Sequence, residues 1–469
     1  MSTPNGLVCF TNCLLPQEDG GLIEKDLWID ERRGVILDAQ LTFFQRRERP
    51  DRIIDLGWKY PQLNGAYGFD FSVYDGDDEA YKQGMKLVAE KIVETGTQEK
   101  SLYPKLLNLL RPFSTPISAS LLGWHAEGPF IDMAKRGAHA PPFLLSAPDG
   151  FSSFEDAYGA QNLVDSEDWL MSSDGQCGVR IITAAPEISG VMGAVNELSK
   201  RGVVFSIGHS VASSDVATAA VIQGARLITH LFNAMPQLHH RDPSIIGLLG
   251  ASPHLASPAA VESFPPPISP IATSAISGFS SEAFDYRSSP GTPVQKVMSR
   301  VGSRSEFHLD KGQVADMTFV RPYYDMIVDG IHSHPNSVRL AYSAFPDGCI
   351  LITDAMKILD PNLRDGVHEW RDGKRFVKEG DKLYLEGTNT LAGSVIALDK
   401  CVRNFSRFTG CSLGEAIKCA TFNPAKCLGI ENTKGTLRAG ADADLVVLDR
   451  QGNVVSTWVK GRQVWARKA

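Results

Sequence analysis

One pattern in the middle of this 469-residue chain limits its fold more than any other. A short apolar run ends in a histidine or an acid, a stretch of helical periodicity follows, and the next apolar run begins. VVFSIGHS (203–210) reads as a buried strand. SSDVATAAVIQGA then reads as a helix, with Ser213, Ser214 or Asp215 available as N-cap and Gly224 as its stop. RLITHLFNAM opens with the next strand, and SLLGWHAEGPF, VRIITAAPE, YDMIVDGIHSH and CILITDAM follow the same grammar. Such alternation predicts a parallel sheet covered on both faces. His209, His230, Asp329 and Asp354 each fall at the C-terminal end of a predicted strand. In a (β/α)8 TIM-type barrel those ends converge on one mouth, so the polar positions select a barrel over an open sheet.

The two ends of the chain have a different grain. Residues 6–56 alternate short apolar runs with turn residues, and 434–467 do so again. The expectation is short antiparallel strands, joined into one small β-sandwich from residues 1–57 and 433–469, beside a barrel spanning 58–432. Residues 251–320 break the barrel pattern with a Ser-, Pro- and Ala-rich stretch of weak periodicity. It reads as an irregular insertion on the mouth side, either a lid or added length that a surface loop tolerates.

Charge and cysteines exclude several classes. The formal net charge is −7 and no polybasic stripe is present, which argues against a nucleic-acid partner. None of the eight cysteines forms a CxxC pair, so buried free thiols are expected rather than a disulfide framework. No apolar run approaches the ~20 residues of a membrane span. The N-terminal stretch lacks a basic segment ahead of an apolar one, so no signal peptide is expected and a cytoplasmic location is.

Glu127, His209 and His230 stand at three strand ends and offer the carboxylate and imidazole donors of a single zinc-type site. Asp354, after the apolar run CILI, is either a helix N-cap or a general base aimed into the mouth. HAEGPFI, KRGAH, SIGHS, THLFNAMPQLHHRDP, DGIHSHP, LITDAM, NTLAGSVIALD and GADADLVVLD together resemble the N-acetylglucosamine-6-phosphate deacetylases of the amidohydrolase superfamily. The resemblance runs from about residue 60 to the C-terminus, and THLFNAM and LAGS are its most specific parts.

That resemblance implies hydrolysis of the acetamide of a sugar phosphate, with one divalent metal, zinc for preference, held by Glu127, His209 and His230. It implies Asp354 as acid and base, and His139 as the residue that polarises the acetamide carbonyl, beside Ala138. Asn233 and Ala234 would hold the sugar, and Arg241 would pair with the 6-phosphate through its planar fork. His332 would add a further contact, across a homodimer interface in such proteins, and Leu391, Ala392, Gly393 and Ser394 would line the sugar pocket. Gln62 and Asn64 stand where many amidohydrolases carry HxH; amides are poor ligands for a transition metal, so a second metal is not expected.

The chain departs from the family pattern in two places. Lys59-Tyr60 runs directly into Pro61-Gln62, and Gly96-Thr97 passes straight to QEKSLYPKLLNLL, where the family has apolar strands. A barrel short of one or two strands leaves ladder groups unpaired. A folded but inactive binding or regulatory protein is therefore the alternative to a working deacetylase, and a deacetylase of another N-acetylhexosamine phosphate is a close variant.

Overall fold

The computed structural model describes residues 4–61, 122–137, 139–163, 178–253, 319–355, 364–369, 375–388, 391 and 393–467. Gln62, Asn64, Ala138, Ala392, the stretch that follows Thr97 and most of the 251–320 insertion lie outside them. In chain order come β1 (Leu7–Pro16), β2 (Leu22–Glu24), β3 (Leu27–Asp30), β4 (Val35–Leu37), α1 (Ala39–Arg46) and β5 (Arg52–Pro61). The middle holds β6 (Trp124–Glu127), α2 (Phe151–Tyr158), β7 (Val179–Ala184), α3 (Val191–Lys200), β8 (Val204–Ile207), α4 (Ser214–Ile222) and β9 (Leu227–Ile228). It continues with β10 (Tyr323–Ile327), α5 (Pro335–Ala344) and β11 (Cys349–Ile352). Then follow β12 (Gly366–Glu369), β13 (Arg375–Glu379), β14 (Lys382–Leu385), α6 (Leu398–Thr409), α7 (Leu413–Ala420) and α8 (Phe422–Leu428). The chain closes with β15 (Leu445–Leu448), β16 (Val454–Val459) and β17 (Arg462–Ala466). It divides into two compact units, Met1–Ala251 with Val320–Ala469, and Ser252–Phe319; every element named belongs to the first.

β6 to β11 form one six-stranded sheet in strict sequence order, and each neighbouring pair is parallel. A doubly wound sheet reverses its order at a switch point, whereas a barrel wall does not. This sheet is a curled part-barrel, as the strand-end pattern predicts. Every residue of β8 and β9 is buried, which is why these strands read as continuous apolar runs. Of the three candidate caps for α4 it is Ser213 that accepts from the Val216 N–H.

Strands from both chain ends interleave in one eight-stranded sheet in the order β17-β16-β15-β5-β1-β3-β4, with β2 on β1. Val8, Phe10, Leu27, Ile29, Leu56, Leu445, Val447 and Trp458 build its core, where the Phe10 and Trp458 rings meet edge to face at 5.1 Å. The antiparallel expectation fails at one pairing: β1 and β5 run parallel. A parallel neighbour needs a long crossover, and the intervening β2, β3, β4 and α1 supply it. The RIIDLGWKYP run is thus committed to this terminal sheet as β5, between β1 and β15.

A third sheet, the antiparallel meander β12-β13-β14, was not expected from the sequence. Its signal is the hairpin turn Gly380-Asp381, with Gly380 at φ 59°, a region that costs glycine little.

Candidate active site

Four strand ends repeat one local device. Ile207-Gly208-His209, Ile228-Thr229-His230, Ile327-Val328-Asp329 and Ile352-Thr353-Asp354 each put the polar residue two positions past the last strand residue. His209 (φ 49°), His230 (φ 32°) and Asp354 (φ 45°) all adopt the left-handed backbone region, which side chains other than glycine rarely enter. That turn redirects each side chain, and such strain persists only where surrounding contacts over-determine it.

The contacts are present. The Asp132 N–H donates to the His209 carbonyl at 2.9 Å, and the Ser210 N–H to the Ala234 carbonyl at 3.2 Å. Both Glu187 carboxylate oxygens accept, from the Ser210 hydroxyl at 2.7 Å and the Val211 N–H at 2.6 Å. Gly208 is needed for proximity: a Cβ there would sit 2.7 Å from Thr183 Cγ2 and 2.9 Å from Thr229 Cβ. The His230 N–H donates to the buried carboxylate of Asp325 in β10. Burial pushes Asp325 up to about 7, against the pull of His230.

Glu127, at the end of β6, gathers the imidazoles. Its Oε1 lies 3.0 Å from His209 Nε2 and 3.1 Å from His230 Nε2, and those two nitrogens are 2.9 Å apart. His139 Nε2 stands 3.7 Å from Glu127 Oε2, so Glu127, His139 and His209 also present donor atoms within 4.8 Å of one another. Burial raises the Glu127 carboxyl, but His209 and His230 outweigh it and hold it well below the usual range. Burial lowers His230, yet its hydrogen bond to Glu127 and the charges of Glu127, Asp354 and Asp325 carry it up to about 9.

Donor chemistry tests whether a cation fits. His209 Nδ1 lies 2.7 Å from the Lys135 carbonyl, which can only accept, so Nδ1 carries the hydrogen and Nε2 of the neutral ring is a bare lone pair. That lone pair faces a carboxylate oxygen and a second imidazole nitrogen. Acceptors this close repel unless a proton or a cation lies among them. One carboxylate and two imidazoles are the nitrogen and oxygen donors that a divalent transition metal takes, and the Glu127, His139 and His209 group can hold one.

Other sequence-predicted residues fall around this cluster. Asp354 is an exposed residue, yet desolvation of its carboxyl together with the Glu127 charge raises it, against His230, His332 and His209. The Ser394 N–H donates to the Asp354 carbonyl at 3.2 Å, and Leu391 bridges to Tyr384, so both lie on the segment that also carries Gly393. His332 Nδ1 is held 2.6 Å from Asp329 Oδ2, while Asp329 Oδ1 accepts from the His332 N–H. Asn233 is tied back to the His230 carbonyl, and Ala234, at φ 49°, accepts from Ser210. Arg241 is exposed and forms no ion pair among the described residues; next to it, Asp242 accepts from the N–H groups of Ser214 and Ser244.

The sequence reading overlooked three supports. Asp325 hides within the apolar strand YYDMI, where a single acid in a buried run is the usable signal. His125, two residues before Glu127 on β6, is half-buried, and desolvation pushes it down to about 4. Lys135 holds His209 through its carbonyl and donates its ammonium to the Met235 carbonyl at 2.9 Å, a link with no local sequence signature.

Residues 281–464 match the model of the Amidohydrolase family, a stretch that includes His332 and Asp354. The N-acetylglucosamine-6-phosphate deacetylase of Danio rerio is 35% identical over 98% of this chain and 96% of its own length. That of Homo sapiens is likewise 35% identical, over 98% and 96%. In fold, the crystal structure of N-acetylglucosamine-6-phosphate deacetylase from Pasteurella multocida is similar at a TM-score of 0.66 and 20% identity, covering 98% of this chain and all of that one. With near full-length relatives at this identity and the same barrel, the chain belongs to the N-acetylglucosamine-6-phosphate deacetylase family of amidohydrolases.

Proposed function

We propose that this chain hydrolyses the acetamide of N-acetyl-D-glucosamine 6-phosphate to D-glucosamine 6-phosphate and acetate. The observation that carries the reading is the convergence of Glu127 Oε1, His209 Nε2 and His230 Nε2 within 3.1 Å, with the His209 Nδ1 hydrogen committed elsewhere. Glu127, His209 and His230 hold one divalent ion, zinc by donor preference, which when bound acidifies a water and polarises the amide carbonyl.

Asp354 takes the proton of the attacking water and later hands it to the leaving amine. Its raised carboxyl suits both halves of that task. His139, beside Ala138 and 3.7 Å from Glu127, steadies the carbonyl oxygen as negative charge develops. Arg241 is free of ion pairs among the described residues and takes the 6-phosphate, with Asn233 and the Ala234 backbone orienting the sugar. His332, oriented by Asp329, and the 391–394 segment complete the sugar pocket. The inactive binding-protein alternative is less well supported, because the strained ligand positions are each braced by several hydrogen bonds. Residues 1–57 with 433–469 form the small β-domain in this reading and 58–432 the hydrolase domain, although β5 carries the terminal sheet on to Pro61.

The test is release of glucosamine 6-phosphate by purified chain, with and without a chelator. Turnover that the chelator abolishes and zinc restores is expected, with much slower turnover of unphosphorylated N-acetylglucosamine. Metal-replete protein that releases no amine overturns the assignment.

A further inference from the structure

A barrel interior is ordinarily packed with branched apolar side chains, but one layer beside the ligand cluster is polar. His125 Nε2 lies 2.6 Å from Thr183 Oγ1, Thr183 Oγ1 lies 2.6 Å from Thr229 Oγ1, and Thr229 Oγ1 lies 2.5 Å from Ser206 Oγ. Thr183 and Ser206 are fully buried and Thr229 nearly so. The register explains their meeting. Glu127 on β6 is paired with Thr183 on β7, and Thr183 with Ser206 on β8. Directly paired residues share a face of the sheet, and His125, two residues before Glu127, shares it as well. The Thr183 hydroxyl therefore stands in the same row as the Glu127 carboxylate.

None of Glu127, His209 and His230 comes from β7, and the Thr183 side chain is what that strand places in their row. Each hydroxyl has one hydrogen to give, so the contacts are satisfied as a directional chain joining β6, β7, β8 and the residue that follows β9. Thr183 is its hub, with His125 on one side and Thr229, next to His230, on the other. The Thr183 methyl meanwhile faces the position of Gly208, next to His209.

We propose that Thr183 is a positioning residue for the metal centre. Its hydroxyl ties together the strands that carry Glu127, His209 and His230 and sets the spacing at which their donor atoms converge. This rests on the reading that those three residues hold the ion, and partners of ligand-bearing groups typically govern affinity by about ten- to a hundredfold.

Wild type, Thr183→Val and Thr183→Ser proteins are stripped of metal and titrated with Zn²⁺ against a chromophoric chelator, and Co²⁺ spectra are recorded. Thr183→Val, which keeps the shape and removes the hydroxyl, is expected to weaken zinc binding about ten- to a hundredfold and shift the cobalt bands. Thr183→Ser should bind close to wild type. Unchanged zinc affinity in Thr183→Val overturns the proposal, as does Thr183→Ser falling equally far, since the methyl would then be responsible. If Thr183→Val does not fold, Ser206→Ala at the far end of the chain replaces it; a smaller fall in affinity supports the proposal, and none overturns it. A wild-type protein that takes up no zinc overturns the ligand assignment and this inference together, whereas a wild type that binds beside an equally tight Thr183→Val overturns this inference alone.

Discussion

The terminal eight-stranded sheet and the mouth of the parallel sheet put their buried positions to opposite uses. In the terminal sheet, Phe10, Ile29, Leu445 and Trp458 fill a core of apolar side chains, and Asn12, Arg47 and Lys460 are the positive-φ residues other than glycine near it. At the mouth, His209, His230, Phe232, Ala234 and Asp354 are bent into the same unfavourable region, with Glu127, Asp325, Thr183 and Thr229 among their neighbours. One region gains stability from area removed from water, while the other consumes stability to hold charges and lone pairs close. The difference teaches that the two can be perturbed separately.

The largest expected effect is on chemistry alone. Asp354→Asn should lower kcat by about a hundred- to ten-thousandfold. Zinc content should match wild type and the melting temperature should not fall, because a carboxylate raised by desolvation and by the Glu127 charge has been neutralised. A loss of kcat smaller than about tenfold removes Asp354 from the proton-transfer role.

Trp458→Ala tests the other side. It deletes a ring that is 2% exposed and packed on Phe10, and should cost about 3–5 kcal/mol in a denaturant titration. Turnover per folded chain should stay within about twofold, because surplus stability is not what the reaction uses. A matching collapse of kcat would show that the two regions are coupled.

Gly208→Ala is the intermediate case. The new methyl meets Thr183 and Thr229 at under 3 Å, neither of them the end of a long flexible chain, and overpacking of this kind costs about 1–3 kcal/mol. Stability and zinc content should fall together, as expected where strain and ligand geometry share the same atoms. Full zinc occupancy in a destabilised Gly208→Ala protein contradicts that coupling.

The smallest effect is a pH dependence in the terminal sheet. Burial raises the Asp30 carboxyl, but hydrogen bonds from Arg33, Arg46 and Arg32 and the Arg46 charge leave it below its ordinary value. A depressed acid stabilises the fold above its unfolded pKa of about 3.9 and loses that contribution as pH falls through the folded value. Arg46→Met should therefore cost about 1 kcal/mol at pH 7, discounted because Arg46 is a third exposed, and the gap to wild type should close below about pH 4. Equal melting temperatures for the two proteins at pH 7 rule the contribution out.

Much of the site was legible because the barrel places its polar residues at a repeated distance from apolar runs. Glu127 closes the short strand β6, whereas His209, His230 and Asp354 each follow a strand whose burial makes it a recognisable apolar segment. His139 was less legible. It stands in a loop, and its 3.7 Å approach to Glu127 depends on the turn from Asp132 to His139 folding back over His209. The meander of β12 to β14 went unread although its turn chemistry was visible, and the parallel pairing of β1 with β5 contradicted a rule that holds only for adjacent hairpins.

What the sequence determined by itself was the set of strand ends and the chemical kind of residue at each, since local apolar runs and one-dimensional spacing encode both. Only the tertiary structure decided which atoms meet. The 2.9 Å approach of His209 to His230, the Asp325 carboxylate beneath the His230 N–H and the Thr183 row are products of register. They join residues up to 95 positions apart through strand pairing, and a slip of one residue would turn each side chain to the other face.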